Sequence, residues 1–176
     1  MDKKISTRWL TQTAMIAGLY AAITFATFYM SFGAVQFRVS EALTILPVFT
    51  AAAVPGLSLG CALANLLGFF MGVNPVGWMD AIFGTSATLL AALLTYMLGR
   101  ITAGRARYFL APLPPVLLNA LIVGGEITFL MGPFNPLLFF ANALSVLVGQ
   151  AAVCYGLGIP LMLLLFRKDV YKKIFR

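Results

Sequence analysis

Three acidic residues stand in otherwise apolar sequence, and they are the side chains best suited to chemistry. Glu126 is the most costly, because a carboxylate deep in an apolar segment costs about 2.5–3.5 kcal/mol on membrane-insertion scales. Asn119 precedes it by seven residues and shares its helical face. Acids in such positions face a partner or a wet cavity. We therefore expect Glu126 and Asn119 to contact a ligand, with interhelical hydrogen bonding as the alternative.

The other two acids lie near the starts of predicted helices. Arg38 and Glu41 are three residues apart, so on a helix they would be neighbours and could form an ion pair. Asp80 opens an apolar segment, where an acid favours the helix dipole. All three charged residues are also candidate ligand contacts. Trp78 adjoins Asp80 and is a candidate for stacking on a ligand, or for anchoring at the membrane surface.

Two stripes of small residues predict close packing between helices. Asn65 adjoins the first stripe and Asn142 begins the second, so each is also a candidate for the wall of a polar cavity. The first stripe is Gly56, Gly60, Ala64, Gly68 and Gly72, and the second is Asn142, Ser145 and Gly149.

The first apolar segment also carries a face of small residues. They serve either internal packing or docking of another membrane protein, and the sequence favours neither. The face consists of Ala14, Gly18, Ala22 and Ala26, with Ala17 and Ala21 beside it.

Composition places the chain in the membrane. Its 176 residues are 61% hydrophobic and only 10% charged, whereas soluble domains carry about 25% charge. We expect a single membrane domain over 1–176. Eleven of the twelve cations fall into three clusters at segment ends, which indicates contact with anionic lipid and not with nucleic acid. The clusters are Lys3, Lys4 and Arg8; Arg100, Arg105 and Arg107; and Arg167, Lys168, Lys172, Lys173 and Arg176.

The residue types argue against catalysis. The chain has no histidine, and its two cysteines are isolated, which suggests neither a metal site nor a disulfide framework. It has no GxxxxGK[ST] phosphate loop, so it cannot itself couple ATP hydrolysis to transport. We expect binding or transport of a small polar solute, not an enzyme, with no cofactor in this chain.

Charge distribution decides the number of spans. The segment 42–73 is too long for one span and contains Pro55-Gly56, so we divide it there. Six spans place eleven cations on one side, and the positive-inside rule makes that side, with both termini, cytoplasmic. Glu126 and the charges at 38, 41 and 80 then lie in the outer half. The predicted spans are 9–32, 42–54, 57–73, 80–99, 112–131 and 137–166.

Three segments carry a family resemblance that extends over roughly residues 10–165. They are VQFRVSEALTILP (35–47), DAIFGTSATLLAA (80–92) and LAPLPPVLLNALIVGGE (110–126). With these segments the chain resembles the QueT family, substrate-binding S components of energy-coupling factor (ECF) transporters.

The resemblance implies a six-helix S-component fold in the cell membrane. It also implies uptake of a queuosine precursor, a 7-deazaguanine base such as 7-aminomethyl-7-deazaguanine, with a transmembrane T component and two ATPase subunits that use ATP. S components dock on the T component through small residues of the first helix, often AxxxA, which Ala17 and Ala21, and again Ala22 and Ala26, match.

The implied ligand suggests a role for each polar residue. A guanine-like edge presents two donors to one carboxylate, for which Glu126 is the first choice. Asp80 or Glu41 would meet the aminomethyl cation, and Arg38 or Asn119 would donate to the ring carbonyl. The alternatives are an S component for another vitamin, or an autonomous carrier in which Glu126 relays protons.

Overall fold

A computed structural model of the chain describes residues 6–31, 37–74 and 76–175, and every regular element in these ranges is helical. Among them, five segments are long and apolar enough to cross a bilayer. The predicted class, an all-α integral membrane protein, is confirmed. The elements are α1 (Thr7–Ala26), α2 (Phe28–Ser31), a central 3-10 helix (Val39–Val48), α3 (Ala53–Phe70), α4 (Trp78–Ile101), α5 (Arg105–Leu110), α6 (Leu113–Leu130), α7 (Pro136–Val153), a π-helical turn (Cys154–Gly158), α8 (Ile159–Phe166), a 3-10 turn (Arg167–Asp169) and α9 (Val170–Phe175).

The second crossing of the bundle differs from the predicted span 42–54. The chain returns through the central 3-10 helix and turns at 49–52 before α3 begins. A 3-10 helix rises about 2.0 Å per residue, so ten residues cover about 20 Å, less than the bilayer core of about 30 Å. Residues 40–47 are all buried. This segment is therefore the centre of the bundle, covered by other helices and not by lipid.

The break between the second and third crossings lies at 49–52 and not at Pro55-Gly56. Pro55 is the third residue of α3. In the first turn of a helix the backbone N–H has no helical partner, so a proline there removes no hydrogen bond. The pair Pro55-Gly56 therefore belongs to the start of a helix.

The first stripe of small residues brings α3 against α1. A Cβ atom on Gly56 would lie 2.9 Å from Cβ of Ile16, and one on Gly60 would lie 2.8 Å from both the carbonyl oxygen of Ala17 and Cβ of Tyr20. Contacts this short leave no room for a methyl group. The two glycines therefore allow the close approach of α1 and α3, as the stripe predicts.

We expect Gly60→Ala to destabilise the protein by about 1–3 kcal/mol, because the added methyl overpacks the contact between α1 and α3. In a melting curve in detergent this corresponds to a fall of roughly 2–12 °C. Gly18→Ala is the matched control, since a Cβ at Gly18 meets no atom within 4 Å. It should melt at or above the wild-type temperature, because alanine is the better helix former. Equal melting of the two variants would contradict this account of α1–α3 packing.

One end of the bundle, which we call the basic end, gathers the exposed charges of the described residues. Phe166 stacks 4.8 Å from Phe49 and 5.9 Å from Tyr108, and the Thr50 hydroxyl donates to the Gln12 side chain at 3.3 Å. These contacts place the start of α1, the end of α4, the α5 segment and the chain after α8 at the same end. The described cations there are Arg8, Arg100, Arg105, Arg107, Arg167, Lys172 and Lys173, while Lys3, Lys4, Arg176 and the side chain of Lys168 lie outside what the structure describes.

The opposite end, which we call the apolar end, is formed where α3 and α6 end and α4 and α7 begin. Its described residues, 28–31, 37, 70–74, 76–78 and 130–136, include no Lys, Arg, Asp or Glu. Large apolar side chains are exposed there instead: Tyr29, Phe70, Phe134 and Leu137 are each at least 70% exposed.

Candidate functional site

Arg38 and Asp80 form a buried ion pair near the apolar end. Arg38 immediately precedes the central 3-10 helix, and Asp80 lies in the first turn of α4. Arg38 Nη2 lies 3.0 Å from Asp80 Oδ2, and both side chains are at most 5% exposed. Arg38 thus pairs with Asp80, which lies 42 residues away in the sequence. The pair joins the central 3-10 helix to α4.

Asparagine side chains hold Asp80 in place. Asn74 Nδ2 donates to Asp80 Oδ2 at 3.0 Å, and Asn65 Nδ2 donates to the main-chain oxygen of Asp80 at 2.7 Å. A Cβ on Gly84 would collide with Asp80 Oδ1 and would lie 3.0 Å from Asn65 Nδ2. Asn65 therefore contacts the N-terminal part of α4, and Gly84 provides the space in which the acid and the amide fit.

A second buried network surrounds Glu41 on the central 3-10 helix. The Tyr20 hydroxyl of α1 donates to Glu41 Oε1, and Asn119 Nδ2 of α6 lies 3.5 Å from Oε2. The main-chain oxygen of Glu41 accepts from the Thr44 hydroxyl at 2.6 Å. Glu41 therefore ties α1 and α6 to the centre of the bundle. Asn119 belongs to this network, and its amide also donates to the main-chain oxygen of Pro115 at 2.9 Å.

Glu126 differs from the other two acids. It lies on α6, four residues before the helix ends, and is 4% exposed. Neither of its carboxylate oxygens has a hydrogen-bond partner within the described part of the chain. A buried polar group without a partner is costly and calls for an explanation, such as a role in binding. Asp80 and Arg38 act on it electrostatically with opposite signs.

Glu126 lines a cleft between α4 and α6. The cleft has a volume of about 340 Å³, at the small end of the range for ligand sites. Apart from the acid, its walls are apolar, and two phenylalanine rings belong to them. The lining residues are Met79, Phe83, Ile122, Gly125, Glu126 and Phe129. This arrangement suits a small, flat, mostly apolar molecule that presents hydrogen-bond donors.

Glu126 is the only predicted ligand contact that lines this cleft, and two of the others, Trp78 and Asn142, lie outside the two buried networks as well. Trp78 is the first residue of α4 and is 56% exposed, adjoining Met79 of the cleft in sequence. Asn142, on α7, is half-buried and donates to the Thr128 hydroxyl at 3.0 Å. The asparagine contact joins α7 to α6, and this agrees with the packing alternative for its stripe.

The small residues of α1 divide between two faces. Ala17 is buried against Gly60, and Ala21 is half-buried against the core. Gly18, Ala22 and Ala26 are exposed. The exposed face of α1 thus contains these three residues together with Ala14, and Ala17 faces inward because Gly60 allows α1 to approach so closely.

The sequence reasoning singled out the acids but missed several of their neighbours. Tyr20 lies within α1, and nothing in the sequence distinguishes it from the other aromatic residues. Its role follows only from the contact with Glu41 in the structure. Phe83 and Phe129 carry a signal that was available: Phe83 follows Asp80 by three residues, and Phe129 follows Glu126 by three. Residues three apart share a helical face, so each ring had to lie beside an acid.

Comparison with known proteins identifies the family to which the chain belongs. The family model described as "QueT transporter" matches residues 10–167. The "Queuosine precursor transporter QueT" of Lactococcus lactis subsp. cremoris (strain MG1363) is 32% identical over 90 residues, which are 50% of this chain and 49% of that protein. The alignment thus spans about half the length of that relative. No solved structure matches. Since the family model covers most of the chain and the fold is a bundle of membrane-crossing helices around a polar centre, the chain belongs to the QueT transporter family.

Proposed function

We propose that this chain is the substrate-capturing S component of an ECF-type importer and that it binds a queuosine precursor with a 7-deazaguanine ring. Membership of a transporter family and the name of the Lactococcus relative support this substrate class. The observation that carries the proposal is Glu126, a buried acid without a described hydrogen-bond partner in a cleft with aromatic walls. A deazaguanine is flat and rich in donors, which suits such a cleft.

The proposed orientation follows from the positive-inside rule. The basic end faces the cytoplasm, and the chain lies in the cell membrane with the apolar end outward. Glu126 is four residues from the apolar end of α6, about 6 Å at about 1.5 Å per residue. The cleft then opens in the outer half of the membrane, where a captured solute arrives.

The proposed energy source is a separate module. The chain has no phosphate loop, so ATP would be used by two ATPase subunits, joined to this chain through a T component. The docking face on this chain would be Gly18, Ala22 and Ala26 of α1, because they are small and exposed, and small residues allow helices to approach closely.

We expect Ala22→Trp to abolish uptake by the assembled transporter while the purified chain keeps wild-type affinity for the deazaguanine. An indole at this exposed position prevents close helix approach but lies on α1, away from the cleft between α4 and α6. The measurements are uptake in proteoliposomes with the energising module and calorimetric titration of the chain alone. Ala17→Trp is unsuitable as a docking probe, since it would collide with α3.

Leu90→Trp, on the exposed side of α4, is the matched control and should transport normally. Normal uptake by the Ala22→Trp variant would place the docking face elsewhere. The same assay separates the competing functions. An autonomous proton-coupled carrier would work without the ATPase module and stop when the proton gradient collapses, whereas an S component for another vitamin would need the module but ignore the deazaguanine.

A further inference from the structure

The cleft at Glu126 offers a ligand one strong acceptor in apolar surroundings. Of its lining residues, Glu126 alone has a charged or hydrogen-bonding side chain. Its two oxygens are buried and have no donor among the described residues. A ligand that enters this cleft must therefore satisfy a carboxylate.

The other two acids of the polar centre already accept hydrogen bonds from the protein, although Asp80 Oδ1 has no donor among the described residues. Asp80 Oδ2 accepts from Arg38 and from Asn74, each at 3.0 Å. Both oxygens of Glu41 have donors, the Tyr20 hydroxyl and the Asn119 amide. The charge of Asp80 is already paired with that of Arg38, and a cation at Glu41 would displace a hydrogen bond from Tyr20 or Asn119. A positive charge brought by the ligand has its best counterion in Glu126.

The energetics of burial favour a cation over a neutral donor. An ionised carboxylate out of water carries a desolvation penalty of several kcal/mol. A neutral ligand could donate hydrogen bonds to Glu126, but it would bring no positive charge to offset the cost of an ionised carboxylate. A protonated amine both donates and cancels that charge, and such charge-assisted hydrogen bonds are the stronger ones. Phe83 and Phe129 add aromatic surface that attracts cations.

We infer that this cleft selects its ligand by charge: it takes a flat heterocycle that carries a protonated amine, and Glu126 binds the ammonium group and not the edge of the ring. The inference rests on the proposed function and deepens it. Among 7-deazaguanines it separates the 7-aminomethyl compound, a cation at neutral pH, from the 7-cyano compound, which has the same ring and no charge. Glu126 is thereby the residue that determines specificity.

The test is a calorimetric titration of the full chain in detergent with both compounds. The wild-type protein should bind the 7-aminomethyl compound roughly 30- to 700-fold more tightly than the 7-cyano compound, because only the cation makes a charge-assisted hydrogen bond to the buried acid. Glu126→Gln should remove most of this preference by weakening binding of the cation alone. Glu126→Asp keeps the charge and should keep the preference, which distinguishes the loss of charge from damage to the cleft.

Two results would overturn the inference and leave the proposed function standing. One is equal binding of the two compounds by the wild-type protein, and the other is an equal loss for both compounds in Glu126→Gln, which would assign Glu126 to the ring edge. Failure of the wild-type protein to bind either compound would reject the proposed function itself.

Discussion

Glu126→Gln will weaken binding of 7-aminomethyl-7-deazaguanine by roughly 30- to 700-fold and leave the melting temperature almost unchanged. Loss of the charge-assisted bond, with a buried group left unmatched, costs about 2–4 kcal/mol, and about 1.4 kcal/mol corresponds to a factor of ten. Stability should not fall, because the carboxylate accepts no hydrogen bond from the described residues. Titration calorimetry and a melting curve on the same preparation measure both quantities.

Glu41→Gln is the matched comparison, since it makes the same chemical change at a residue that is 1% exposed. Here the carboxylate accepts from Tyr20 and Asn119, so the substitution should lower the melting temperature. Unchanged affinity in Glu126→Gln, or a large fall in its stability, would show that Glu126 has a packing role and no ligand role.

Asp80→Asn is expected to destabilise the protein by about 3–5 kcal/mol, because it removes the acidic partner of a buried ion pair and Arg38 keeps its charge. The shift in melting temperature should be roughly 6–20 °C. Arg38→Met should cost less. A carboxyl group can bind a proton and become neutral, whereas a guanidinium stays charged.

The double variant Arg38→Met/Asp80→Asn completes the cycle. It removes both charges and keeps a side chain at position 80 that can accept from Asn74, so it should be more stable than Asp80→Asn alone. If the double variant loses as much stability as the two single variants together, the pair contributes no coupling energy. Melting curves of all four proteins in one detergent decide between these results.

How far the sequence predicts this molecule depends on the length scale of each signal. Long apolar segments and clusters of cations are local patterns, so the helical membrane fold and the gathering of described cations at one end follow from them. The break at 49–52 contains no glycine or proline. The prediction therefore placed the break at Pro55, three residues after its true end. Helical spacing cannot predict the central 3-10 helix, because burial by surrounding helices determines its conformation.

The buried charged residues were predictable from the sequence, but their pairing was not. Arg38, Glu41 and Asp80 are visible in sequence as rare charges among apolar residues. Their partners are remote: Arg38 meets Asp80 across 42 residues, and Glu41 meets Asn119 across 78. Spacing along one helix suggests only the pair Arg38 and Glu41. The sequence also could not show how Glu126 differs from the other acids. Only the folded structure reveals that its oxygens have no donor among the described residues.

The separation of the basic and apolar ends affects how the whole molecule can tilt. Transfer of a carboxylate- or ammonium-sized ion into a dry medium costs on the order of 20 kcal/mol by the idealised Born treatment. At the basic end, Arg105 and Lys173 are exposed and would incur such a cost, so that end stays among the lipid headgroups. At the apolar end, Arg38 and Asp80 neutralise each other inside the protein, and the segments around them have no charged residue. If that end were immersed in hydrocarbon, none of these segments would have an exposed charged side chain to dehydrate. The dielectric cost of burying each end in hydrocarbon is therefore unequal: it is large at the basic end and small at the apolar end, to which the cleft is close.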